Sequence, residues 1–83
     1  MEEKIGDVTH YYSGAGVGIV KLTAPLAVGD RVHIVGATTD FDQLVESMQV
    51  DRKSVESAKK GAEVGVKVSS KVREGDAVFL VRG

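Results

Sequence analysis

The 83-residue sequence predicts an all-β domain, a small closed antiparallel β-barrel, and three observations carry that expectation. Gly-Asp stands before a short alternating run twice, in Gly29-Asp30-Arg31-Val32-His33-Ile34-Val35-Gly36 and in Gly75-Asp76-Ala77-Val78-Phe79-Leu80-Val81. Glycine there supplies the positive φ that tight turns between strands require. Glu63-Val64-Gly65-Val66-Lys67-Val68 alternates with a period of two, as a strand with one buried face does. Finally, the connections are turn-like, with Lys59-Lys60-Gly61 before that run and Ala24-Pro25-Leu26 between two others. Closure into a barrel is expected because a sheet of short strands otherwise leaves exposed edges.

In order along the chain, the first strand places Val8, His10 and Tyr12 on one face and Asp7, Thr9 and Tyr11 on the other. His10 is therefore expected in or near the core with a hydrogen-bond partner, and Tyr11 as the exposed ring. The run Ser13-Gly14-Ala15-Gly16-Val17-Gly18 suggests a phosphate cradle, but its third glycine falls one residue early for G-x-G-x-x-G. Ile19-Val20-Lys21-Leu22-Thr23 then continues as a β-branched strand rather than as the helix that such a cradle needs. In the strand after Gly29-Asp30, His33 alternates outward between Val32 and Ile34 and reads as a solvated histidine. Alternation also places Val20 or Leu22 and Val35 on the outer face. From Asp40 to Lys60 two readings compete. Phe41, Leu44, Val45, Met48, Val55 and Ala58 approach a helical period, with Asp40 as N-cap and Gly61 as the terminating glycine. Leu44, Glu46, Met48 and Val50 alternate as a strand ending in an Asp51-Arg52-Lys53 turn.

Composition excludes several classes of function. There is no cysteine, and the two histidines are far apart in the sequence, so thiol chemistry and a zinc site are not expected. Asp7, His10 and Ser13 are spaced at i, i+3 and i+6, which does not keep them on one strand face, so they are not a nucleophilic set. Met-Glu-Glu-Lys at the start is charged, and no segment approaches the ~20 apolar residues of a membrane span. A cytoplasmic protein without cofactors or metals is expected. Charge is polarised: residues 1–51 carry three basic against eight acidic side chains, residues 52–83 eight basic against four acidic. Lys59, Lys60, Lys67, Lys71 and Arg73 are the candidate nucleic-acid surface, provided the fold groups them within about a Debye length, ~8 Å at physiological salt. Tyr11 is the candidate stacking ring.

The turns as a set resemble the second domain of the translational GTPases such as elongation factor Tu, and more narrowly the free-standing elongation factor-like proteins. The resemblance runs over about residues 5–81, through "GAG", "LAVGDRVHIVG", "VESMQVDRKSV", "AKKGAEVGVKV" and "REGDAVFLV". A similar barrel is also appended to some collagenase-like peptidases. The resemblance implies a single domain over 1–83, a reductase/elongation-factor barrel of about six or seven strands. It implies a strand over residues 43–50 and a short pairing segment over 53–55, so that the middle is not a helix. Gly14, Gly16, Gly29, Asp30, Gly61, Gly75 and Asp76 are the structural turn residues. The family's GTPase domain is absent, and Ala15 stands where elongation factors commonly carry arginine. The function so implied is a non-enzymatic module contacting tRNA, rRNA or a ribosome-associated assembly through the basic half. The alternative is a protein-interaction adaptor with an exposed barrel face, its partner replacing the missing GTPase domain.

Overall fold

A computed structural model describes residues 2–81. Ten strands follow one another: β1 (Glu2–Tyr12), β2 (Val17–Leu22), β3 (Leu26–Ala27), β4 (Arg31–Val35), β5 (Asp40–Leu44), β6 (Met48–Val50), β7 (Lys53–Val55), β8 (Ser57–Ala58), β9 (Glu63–Lys67) and β10 (Ala77–Val81). The fold is all-β and every pairing among the described residues is antiparallel. Eight strands form one sheet in the order β5-β4-β10-β1-β2-β9-β6-β7, and β3 pairs with β8 in a second, two-stranded sheet. Among the described strands β5 and β7 end the large sheet without a ladder between them, where a closed barrel of six or seven strands was expected.

The middle segment is not helical. The single strand expected over residues 43–50 is instead divided into β5 and β6, because Val45 leaves the line to bury its side chain while its N–H donates to Asp30 O at 2.8 Å. The pairing segment at 53–55 is β7, and Val50 opposes Lys53 across a two-residue hairpin. Asp51 and Arg52 hold that turn with φ of 51° and 66°, the pattern of a turn that glycine or asparagine usually occupies.

Alternation supplies the core. Val20 and Leu22, Val32 and Ile34, and Val64 and Val66 face inward from three strands, joined by Ile5, Val8, Met48 and Val78. Val45 and Val72 enter from connections. Each such side chain contributes about 1.5–3 kcal/mol by leaving water. Val20 and Leu22 thus belong to the core, and the outer face of β2 carries Val17 and Ile19. A one-residue difference in parity exchanges the two sets.

β1 bears two bulges, where pairing with β10 shifts between Lys4 and Gly6 and pairing with β2 shifts between Val8 and His10. The extra residue at Thr9 reverses the alternation beyond it. Val8 is buried, His10 and Tyr12 turn outward, and Tyr11 packs against the core. The expectations that His10 lies in or near the core and that Tyr11 is the exposed ring both fail at this bulge.

The two Gly-Asp sequences form the same turn. Asp30 N–H donates to Ala27 O and Asp76 N–H to Arg73 O, each at 3.1 Å, with Gly29 and Gly75 at φ of 97° and 91°. Each aspartate also accepts the N–H three residues back, from Ala27 at 2.9 Å and from Arg73 at 2.8 Å. Gly61 (φ 92°) occupies the corresponding place in Lys59–Ala62, where Ala62 N–H donates to Lys59 O. In the 13–16 turn the positive φ falls on Gly16, and Gly14 stands in open space.

Candidate functional site

The five cations do not make one surface. Lys59 and Lys60 lie in the turn before β9, whose Gly61 N–H donates to Leu22 O at 2.9 Å. Lys67 ends β9 at its other extremity, opposite Val17. Glu63 and Lys67 alone are about 13 Å apart at 3.3 Å per residue, and the lysine turn lies beyond Glu63, so the separation exceeds a Debye length. Lys71 and Arg73 belong to the Lys67 end, where Val68 N–H donates to Gly16 O and Val72 packs beside Gly18. Tyr11, the expected stacking ring, is half-buried.

What the sheet does build is a groove on its outer face. Register places Ile19, Gly65 and Gln49 in one row across β2, β9 and β6, with Val17 in the next row beside Lys67. Gly65 is the break in that row. A Cβ there would stand 3.2 Å from Val17 Cγ1 and 3.6 Å from Ile19 Cδ1, so the missing side chain lets both apolar groups lean into the gap. Tyr12, 53% exposed, bounds one side. Gln49, Asp51, Arg52 and Glu63 supply a polar rim, and the groove encloses about 360 Å³. Two of the rim residues are those held at positive φ, a conformation costing roughly 1–2 kcal/mol outside glycine. The sequence signal for this floor was the isolated glycine inside an alternating strand.

A shallower concavity of about 500 Å³ adjoins it, lined by His10, Tyr11, Lys71, Arg73 and Glu74. The junction is the edge-on contact of the His10 and Tyr12 rings, with centroids 4.4 Å apart. His10 Nδ1 lies 3.4 Å from Glu74 Oε1.

A third polar cluster occupies the other half of the outer face. His33 faces outward as expected, yet it is clamped rather than freely solvated: Nε2 is 2.6 Å from Asp40 Oδ1 and Nδ1 is 3.0 Å from both Glu2 carboxylate oxygens. The hydrogen bonds to Asp40, and then to Glu2, raise its pKa above the ordinary 6.5. Beside it Arg31 Nε donates to Asp42 Oδ2 at 2.8 Å, holding the Asp42 carboxyl below its usual 3.8. Among the described residues no group of three or more His, Asp or Glu side chains is arranged to hold a metal ion. No helix among them is long and apolar enough to cross a membrane.

These features define an antiparallel all-β domain with a grooved outer face. No family model matches the chain. Crystal structures of the C-terminal domain of a putative U32 peptidase from Geobacillus thermoleovorans share its fold. One superposes with a TM-score of 0.90 over 96% of this chain and 93% of that domain at 20% identity. The selenomethionine variant gives 0.87 over 92% and 96% at 22% identity. In sequence, 80 residues are 44% identical to an uncharacterised protease of Methanocaldococcus jannaschii; this covers 95% of this chain and 20% of the protease's length.

These likenesses overturn the elongation-factor resemblance, and with it the translation role and the tRNA, rRNA, ribosome and GTPase-replacing partners. The physical reason is that "GAG", "VGDRVHIVG" and "KGAEVGVKV" are turn and strand chemistry. Gly at a positive-φ corner and Asp closing the turn behind it serve any small sheet of this shape, whatever it binds.

Proposed function

We propose that this chain is a non-catalytic domain that holds polypeptide for a peptidase catalytic region of the U32 kind. The observation that carries the reading is the likeness, over nearly its whole length, to the C-terminal domain of such a protein. The groove supports polypeptide as the thing held: Val17 and Ile19 offer an apolar floor for a side chain, and Gln49, Glu63, Asp51 and Arg52 are rim groups that can meet main-chain amides. In this reading the groove binds polypeptide and the catalytic residues belong to the peptidase region.

In this reading the domain is one unit over residues 1–83, with its core in 5–81, and the sheet works as a closed barrel. Gln43 supports the closure. Its Nε2 donates to Lys67 O at 2.8 Å and its Oε1 accepts the Ser69 N–H at 2.7 Å, so one side-chain amide replaces a backbone rung between β5 and the end of β9. The reading places the domain in the cytoplasm, where a chain without cysteine needs no oxidising compartment.

The test is fluorescence anisotropy of a labelled, unfolded casein titrated with the purified chain, followed by electrophoresis of the same samples. Saturable binding with intact casein is the expected result. Casein fragments that accumulate in proportion to the chain would overturn the non-catalytic role, and an anisotropy flat to millimolar chain would overturn the holding of polypeptide.

A further inference from the structure

The concavity beside the groove is not absorbed by an apolar floor and a polar rim. Val72 is buried, so the residues on either side of it, Lys71 and Arg73, both stand in solvent. The Arg73 main chain is fixed by its N–H bond to the Asp76 carboxylate. Among the described residues no carboxylate forms an ion pair with Lys71 or Arg73, whereas Lys4 is paired with Asp7 and Arg31 with Asp42. Glu74, the acid in the same concavity, is turned to His10. The site therefore presents two cations without an ion-pair partner against the one carboxylate of Glu74, an excess of positive charge that grows when His10 is protonated and offsets Glu74, next to an apolar groove.

We propose that this concavity takes a carboxylate of the same polypeptide whose apolar side chain fills the groove, so that the surface selects segments with an apolar residue followed by an anionic group. Spacing supports this. His10 and Tyr12 are two residues apart on β1, about 7 Å along an extended chain, and a ligand strand lying over them spans the same distance between residues i and i+2. The carboxylate is an acidic side chain at i+2 of that strand, which lysine and arginine side chains meet with charge-assisted hydrogen bonds. The inference rests on the reading that the groove holds polypeptide.

The experiment is a titration of the ¹⁵N-labelled chain followed by amide shifts, with three acetylated tripeptides as probes. The first is Leu-Gly-Asp with an amidated end, the second Leu-Gly-Ala with a free carboxylate, and the third Leu-Gly-Asn with an amidated end. The Leu-Gly-Asp peptide is expected to bind about five- to tenfold tighter than the neutral one, with shifts at His10, Lys71 and Arg73 as well as at Val17, Ile19 and Gly65. A gain confined to the peptide with the free terminal carboxylate would overturn the acidic side chain as the group that is read. K71Q/R73Q, two exposed substitutions that leave the core untouched, is expected to remove the preference and to leave neutral binding unchanged. Equal binding of all three peptides, or a preference that survives in K71Q/R73Q, would sink this inference while the holding of polypeptide stands. Shifts from none of the three would overturn both.

Discussion

His33 shows what a single position reveals and conceals. Its outward direction follows from alternation in β4, but its partners come from β1 and β5, 31 residues before it and seven after it. An imidazole bonded through both nitrogens to carboxylates donates from both, which only the protonated ring can do. Its pKa is raised by Asp40 first and Glu2 second. The clamp's contribution is thus complete below the unfolded value of 6.5 and is lost as pH rises through the higher folded value. Thermal stability is expected to decline from pH 6 towards pH 8, and H33Q is expected to flatten that decline; a wild-type profile no steeper than that of H33Q would refute the clamp. Asp42 acts with the opposite sign: its Arg31-lowered pKa gives stability that is present above 3.8 and lost as pH falls further. His10 and Tyr11 mark the limit of reading by residue. One extra residue at Thr9 exchanged their faces, and nothing in Val8-Thr9-His10 announces a bulge.

At the scale of elements, the turns were legible because their chemistry is local. Gly29-Asp30 and Gly75-Asp76 each complete a hydrogen-bonded corner within four residues, which a reading of short windows can see. The break between β5 and β6 was not legible, since it depends on Val45 finding both the core and Asp30 O, fifteen residues back. The two corners differ in burial: Asp76 is 4% exposed, whereas Asp30 is half-buried. The Asp76 carboxylate is buried, so its charged hydrogen bond to the Arg73 N–H forms with less competition from water than that of Asp30. D76A is expected to cost about 1.5–3 kcal/mol and D30A about 1 kcal/mol. Urea unfolding of the two variants decides the point, and equal costs would mean that burial plays no part in the corner's strength. The groove belongs to the same scale. Its floor is a register fact, Ile19 and Gln49 meeting at Gly65, and alternation assigned the wrong residues of β2 to that face.

At the scale of the whole molecule, all-β architecture was legible and strand order was not. β10 lies between β4 and β1, and β9 between β2 and β6, pairings that join distant parts of the chain and that no local pattern encodes. Function suffered most, because the turns that carried the elongation-factor resemblance report on sheet corners and not on what the sheet's outer face binds. The same topology leaves β5 at an edge, and the Gln43 amide, 24 residues from Lys67 and 26 from Ser69, is the group that bridges from that edge. Its hydrogen bonds with Lys67 O and the Ser69 N–H replace what a backbone rung would give, about 1 kcal/mol each in net terms, and the Ser69 hydroxyl also donates to the same Oε1. Q43A is therefore expected to lower stability by about 1–2 kcal/mol and to speed hydrogen exchange at the Ser69 amide, with the β1–β2 ladder unchanged. Gln43 faces inward from β5, so a general loss of packing is the competing outcome, and Q43L separates the two by keeping bulk without the amide. Should Q43L retain wild-type protection at Ser69, the amide is not the bridge and the proposed closure of the barrel fails with it. Fast exchange at Ser69 in both variants, confined to the β5 edge and residues 67–69, is the outcome that a side-chain-closed barrel requires.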